Sequence, residues 1–369
     1  MNLNLDEVIK EARSLPLISL QGMTNYQKNI PKLQKYVDDT MSSHPSINKI
    51  IGNKPLEVMY ANHKHHAAFM LTVFSIGNYE LLARTIPWVY RAYSAHNFSY
   101  DYFPLELEAW LEAVGKYTAL ELTKEIKLVY EWMIKKHENM ISLSQSKMGS
   151  QPPISENWLE TKNSFFTAIL EGDHKACLKI AMDAIPTGKE IESFYLHVIQ
   201  PVMYEVGILW ERGTISVAQE HLASAIVGRV MASTSMLNAA PAKYIGKAVI
   251  TAAPNEFHEI GAWMISDILE NEGWNVKYLG ADTPAEDLLE MLHSFQPQVL
   301  ALSITMPFNI LKAKEMIGKI RENEELKKIQ IIIGGRVFNE NTDLWRSTGA
   351  DHFAANAHDI KAFLGEKSA

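Results

Sequence analysis

Between Ile245 and Leu364, short apolar runs alternate with amphipathic helical patterns, and this alternation limits the possible folds more than any other feature of the chain. Strand-like segments are read at Lys247–Ala252, Trp274–Gly280, Gln298–Thr305, Gln330–Gly335 and Asp351–Ala355. Helical periods separate them at Gly261–Glu272, Pro284–Phe295 and Asn309–Asn323. Strands that alternate with helices predict a doubly wound parallel sheet. Thr283-Pro284-Ala285-Glu286 reads as a helix start, with Thr283 as cap, Pro284 in the first helical position and Glu286 completing a capping box. No Gly-x-Gly-x-x-Gly follows any of these strands and no Walker loop is present, which argues against dinucleotide and P-loop chemistry.

Open α/β sheets bind ligands outside the carboxyl ends of their strands. Three such ends carry distinctive residues here. Glu256-Phe257-His258-Glu259-Ile260-Gly261 follows the first strand, Ser303-Ile304-Thr305 ends the third, and Gly334-Gly335 ends the fourth. A neutral imidazole is a good metal ligand, and an acidic partner on its other nitrogen fixes the tautomer. In these residues the chain resembles the cobalamin-binding domain of corrinoid enzymes and cobalamin-dependent photoreceptors, whose signature is Asp-x-His-x-x-Gly. Glu256 stands where that family has Asp. The resemblance implies a flavodoxin-like domain in which His258 displaces the dimethylbenzimidazole base of cobalamin and becomes the lower axial ligand of cobalt. It further implies Glu256 as the partner of His258 and Phe257 as a cofactor neighbour. Gly261, Ser303, Thr305, Gly334 and Gly335 would line the slot for the displaced nucleotide tail.

Upstream, Glu156–Glu171, His174–Ile185, Lys189–Arg212 and Ser216–Asn238 read as four amphipathic helices with short connections, the third interrupted by Pro201. This resembles the helical cap over the upper corrin face in methyl carriers and photoreceptors. Trp210, Val217 and the pair Glu220-His221 resemble the upper pocket of adenosylcobalamin-dependent light-sensing repressors. There, a tryptophan packs on the adenosyl group and a glutamate accepts hydrogen bonds from it. In those repressors a histidine follows the tryptophan and captures cobalt after photolysis. Glu211 occupies that position here.

The whole reads as α + α/β. Residues 1–141 form a mostly helical region, 142–155 a linker rich in Ser and Pro, 156–242 the four-helix cap and 243–369 the cobalamin-binding domain. A length of 369 residues, 47% of them apolar, supports two or three domains. A net charge of -8 without a basic block argues against direct nucleic-acid binding. Without a signal peptide or a long apolar run the expectation is a cytoplasmic protein with no membrane association. The lone Cys177 sits in an apolar helical pattern and is expected to be buried.

The N-terminal region reads as helices at Leu5–Ser14, Asn25–Asp39, His63–Phe74, Tyr79–Ser94, Pro104–Tyr117 and Leu120–Asn139. It lacks the basic helix-turn-helix of the light-sensing repressors, so its output is expected to be a protein partner or a homo-oligomer. Trp88, Tyr90, Tyr93, Phe98, Tyr100, Tyr102 and Phe103 read as core or dimer surface, with a bilin pocket as the alternative. His63 and His66 share a helix face and read as a solvated helix start rather than a metal site. No hydrolase elbow or zinc motif appears, so the expectation is a sensor rather than an enzyme. Three readings stay open: an adenosylcobalamin sensor with a light response, a corrinoid methyl carrier of a methyltransferase system using methylcobalamin, and a dual cobalamin and bilin photoreceptor.

Overall fold

The strands at the carboxyl-terminal end are apolar because both faces of their sheet are covered. In a computed structural model describing residues 4–146, 154–237, 241–339 and 341–368, the chain divides into two units. The first runs to Gly149 and includes Glu211–Gly213, and the second comprises Ser150–Trp210 and Thr214 onward. The linker expected over 142–155 runs through 147–153, which lie outside the described residues.

The first unit is helical: α1 (Leu5–Ala12), α2 (Leu20–Ser42), α3 (Ile47–Ile50), α4 (Leu56–Ile76), α5 (Tyr79–Ala95), α6 (Tyr102–Tyr117), α7 (Leu120–Lys135) and α8 (His137–Ser144). Here the reading of His63 and His66 is corrected. Helix α4 begins at Leu56, which places both residues well inside it, and His63 is wholly buried. Two carboxylates make this burial tolerable. His63 Nδ1 lies 2.6 Å from Asp38 Oδ1, and His66 Nδ1 lies 3.7 Å from Glu106 Oε1. The aromatic cluster is core, with Tyr90 and Phe103 stacked at 3.6 Å between ring centres and Tyr102 against Phe98 at 5.2 Å.

The second unit opens with the cap: α9 (Glu156–Leu170), α10 (His174–Ala184), α11 (Ile191–Phe194), a π turn (Tyr195–Ile199), α12 (Gln200–Glu211) and α13 (Val217–Ser235). Pro201 has no N–H to offer the preceding turn, and the helix widens into the π turn just before it. The buried Cys177 lies in the cap core with Phe165, Ile191, Phe194, Val198, Val202 and Val227.

The sheet domain follows as β1 (Lys247–Ala252), α14 (Ile260–Asn271), β2 (Asn275–Gly280), α15 (Ala285–Phe295), β3 (Val299–Ser303), α16 (Ile310–Glu322), β4 (Gln330–Gly334), α17 (Arg336–Asn339), β5 (His352–Ala354) and α18 (Ala357–Ser368). All pairings are parallel and the order is β2-β1-β3-β4-β5. This is the α + α/β architecture expected, with the flavodoxin-like strand order. Its topological switch point lies between β1 and β3. One detail differs: Pro284, not Thr283, is the cap residue of α15, because the Thr283 hydroxyl pairs with that of Thr251 at 3.0 Å.

Cap and sheet share a core, since Met264 and Ile268 of α14 lie in the same apolar cluster as the cap residues. At the end of β4, Gly335 has φ +108° and a Cβ there would sit 2.1 Å from the carbonyl oxygen of Ile304. Gly335→Ala is therefore expected to cost about 2 kcal/mol or more. The measurement is the thermal midpoint of the ligand-free protein, and an unchanged midpoint would show that the β3–β4 end tolerates a side chain.

Candidate functional site

After β1 the chain turns at Asn255, which adopts φ +63°, a conformation Asn accepts more readily than most residues. The turn is pinned from two sides. The Asn255 N–H donates to Asp282 Oδ1 at 2.7 Å, and Asn309 Nδ2 donates to the Asn255 carbonyl at 3.1 Å. The next residue, Glu256, is wholly buried. Its Oε1 accepts from His258 Nδ1 at 2.5 Å and from the His258 N–H at 3.2 Å. Its Oε2 accepts from the N–H groups of Thr305 and Met306 at 2.9 and 2.8 Å and from Asn309 Nδ2 at 3.1 Å.

One carboxylate thus ties the loop after β1 to the loop after β3 across the switch point. Burial by itself would raise the Glu256 carboxyl pKa, but the bonds from His258, Met306 and Asn309 outweigh it and hold the group below the ordinary glutamate range. An ionised Glu256 makes His258 Nδ1 the donor, and in the neutral imidazole this leaves the lone pair on Nε2. The His258 side chain is 58% exposed, and Phe257 beside it is 71% exposed. Gly261, in the first turn of α14, has nothing within 4 Å of where a Cβ would lie. Ser303 ends β3 and pairs with Gly334 at the end of β4, and Gly335 follows.

The residues read as an upper face lie on the cap. Ser216 caps α13 in a reciprocal capping box with Gln219, which places Val217, Glu220 and His221 in the opening turns of the helix. Val217 is 48% exposed and the His221 side chain 74% exposed. Glu220 Oε1 accepts from Ser224 Oγ at 2.8 Å, and its other oxygen lies 3.7 Å from His221 Nε2. Trp210 lies in the last turn of α12 and packs partly buried against the cap core. Glu211 belongs to the first unit, where it is buried and accepts from Arg91 Nε at 2.5 Å.

Two features escaped the sequence reading. Asn309 is buried and holds both the Asn255 carbonyl and the Glu256 carboxylate, yet as an isolated polar residue after Pro307-Phe308 it carries no sequence signal. The turn-forming pair Asn255 and Asp282, both at positive φ, was legible only as generic loop residues. Among the described residues no group of three or more His, Cys, Asp or Glu is arranged to hold a metal ion. An isolated exposed histidine fits a metal that brings its other ligands with it.

Residues 246–360 match the family described as a B12 binding domain, and residues 161–233 match a second family of the same description. The second unit is therefore a cobalamin-binding module: a sheet domain of the B12-binding family preceded by its helical partner. Among curated proteins the chain is similar to the HTH-type transcriptional repressor CarH of Myxococcus xanthus, at 29% identity over 46% of this chain and 55% of that protein. The match therefore spans only about half of that relative's length. It is also similar to the HTH-type transcriptional repressor CarA of the same organism, at 27% identity over 62% of this chain and 77% of that one. Dimethylamine corrinoid protein 3 of Methanosarcina acetivorans is 26% identical over 43% and 75% of the two chains. The solved monomethylamine corrinoid protein of Methanosarcina barkeri shares the fold, with a TM-score of 0.50 and 19% identity over 57% of this chain and 99% of that one. Among the described residues no helix is long and apolar enough to cross a membrane.

Glu256 satisfies five donors, and a glutamine offers one oxygen and an NH2 group in the same space. Glu256→Gln is expected to destabilise the ligand-free protein by about 2 kcal/mol, because at least one backbone N–H loses its acceptor. Thermal unfolding measures this, and a midpoint equal to wild type would mean that the carboxylate does not anchor the two loops.

Proposed function

We propose that this chain is an adenosylcobalamin-binding sensor that signals through a protein partner or a change in self-association. The observation that carries the reading is His258, an exposed imidazole with Nδ1 committed to a buried carboxylate and Nε2 left to bind metal. A corrin holds cobalt by four nitrogens of its own, so a single protein ligand suffices. When bound, adenosylcobalamin supplies a cobalt–carbon bond that light can break.

The surrounding residues fit such a group. Phe257 presents apolar surface that a macrocycle would cover, and Gly261 leaves room for a nucleotide tail to pass the backbone. Ser303, Thr305, Gly334 and Gly335, at and just beyond the ends of β3 and β4, would line the slot for that tail. On the cap, Trp210 and Val217 offer apolar contact to an upper axial group, and Glu220 offers a carboxylate oxygen to its hydroxyls. His221 completes that face. Glu211, which stands where the light-sensing repressors have a histidine, is engaged by Arg91, and His221 is the nearest histidine in sequence that could replace it.

The similarity to CarH and CarA supports a regulatory role, and the similarity to dimethylamine corrinoid proteins supports a methyl carrier as the second reading. The lower face serves either. The upper face separates them, because a methyl carrier needs neither Trp210 nor Glu220 to hold a small ligand. A bilin beside cobalamin finds no support in the aromatic cluster, whose rings fill one another.

Trp210→Ala is expected to weaken adenosylcobalamin binding about tenfold more than methylcobalamin binding, since only the larger group loses apolar contact. Equal losses would remove Trp210 from the upper pocket. Gel filtration of the adenosylcobalamin complex in darkness and after green light reads the response itself. A change in assembly size supports the sensor, whereas an unchanged size together with methylation of the cofactor by a methyltransferase supports the carrier.

A further inference from the structure

Among the described residues, one polar contact lies wholly inside the apolar interface between cap and sheet domain. Tyr195, in the π turn, is wholly buried and donates its hydroxyl to Asp267 Oδ2 on α14 at 2.6 Å. Asp267 is itself 3% exposed. The hydroxyl of Thr234, near the end of α13, lies 3.5 Å from the same tyrosine oxygen and bonds back to its own helix. Around this point the helices pack closely, with Gly228 of α13 facing Trp263 of α14. The two helices that meet here both begin at candidate site residues. Helix α13 opens with Val217, Glu220 and His221, and α14 opens two residues after His258.

We propose that the Tyr195–Asp267 bond is the catch that sets how the cap sits on α14, and so fixes the spacing between the upper-face residues and His258. A buried polar contact in an apolar interface adds little net stability but specifies register, because any other seating costs the buried Tyr195 hydroxyl and the Asp267 carboxyl group their bond to each other with no water to replace it. The π turn suits this role. It breaks the regular ladder where Tyr195 must reach out of the cap, and such turns concentrate at functional positions. A second link at the rim, Lys361 between Glu192 and Glu272 at 2.8 and 2.7 Å, is partly exposed and therefore the weaker constraint.

The catch holds a proton. Burial pushes the Asp267 carboxyl up to about 7, opposed by the hydrogen bonds from Tyr195 and Trp263 and reinforced by the charge of Glu270 on the same helix. The other titratable groups facing it are Tyr278 of β2, whose hydroxyl donates to Glu259, and Lys277, which acts through Glu270. The sign follows from the raised value. The seated state keeps this proton where a solvated aspartate has lost it, so seating is favoured at low pH. That advantage disappears as pH rises from the ordinary aspartate range through about 7.

The inference rests on the cobalamin reading for its purpose but not for its test, which uses the full chain without cofactor. Amide hydrogen exchange of 223–235 and 262–271, corrected for the intrinsic pH dependence of exchange, is measured near pH 6 and near pH 8. In wild type, exchange is expected to be about fivefold faster at the higher pH. Asp267→Asn keeps an accepting oxygen and no charge, so its exchange should stay slow at both values. Tyr195→Phe should be fast at both. A flat wild-type profile overturns the proposal by itself, whether or not the variants fold, and so does a Tyr195→Phe profile that matches wild type. Failure of the cobalamin reading appears separately, as loss of cofactor binding by wild type with this exchange pattern intact.

Discussion

The candidate site depends on one buried carboxylate. Glu256 carries the only side chain that joins the β1 loop, the β3 loop and the histidine through direct hydrogen bonds among the described residues. Its position explains its length. Two strands leave the sheet in divergent directions at the switch point, and a side chain with two methylenes spans from one loop to backbone N–H groups of the other. The ionised group is stable in a buried place because five donors replace the water it gave up. That same charge fixes which nitrogen of His258 is protonated. A single residue therefore closes the sheet end and orients the histidine proposed as the metal ligand.

Around this point the second unit divides the work by chemistry. The sheet domain provides rigid polar positions at strand ends, fixed by parallel pairing and by glycines where backbones approach too closely for a side chain. The cap provides an apolar wall and a short polar face at the start of α13. The two share a continuous core through α14, so movement of the cap requires repacking of Met264 and Ile268 rather than free hinging. Packed interfaces of this kind switch between discrete arrangements rather than deforming continuously.

Much of this was legible in the sequence, and the failures have physical causes. The strands were legible because burial on both faces demands apolar runs, and the loop after β1 because His258 and Gly261 follow such a run. Strand order came only through the family resemblance, since pairing of β1 with β3 as well as β2 is a tertiary outcome that no local pattern encodes. The start of α4 was misplaced because Lys64 and the histidines looked like a solvated turn. Asp38 and Glu106, distant in sequence, make that face compatible with burial. Thr283 looked like a helix cap until Thr251 supplied a competing partner. Asn309 and the Tyr195–Asp267 contact gave no warning, because each is an ordinary residue whose role comes from what the fold brings to it.

The central claim is that His258 ligates cobalt. Electron paramagnetic resonance of cob(II)alamin bound to protein carrying 15N-labelled histidine tests it directly, because the unpaired electron couples to the axial nitrogen. The account predicts a two-line splitting from 15N on each cobalt feature. A three-line splitting from the unlabelled 14N of the cofactor's own base, or no nitrogen splitting at all, would contradict it.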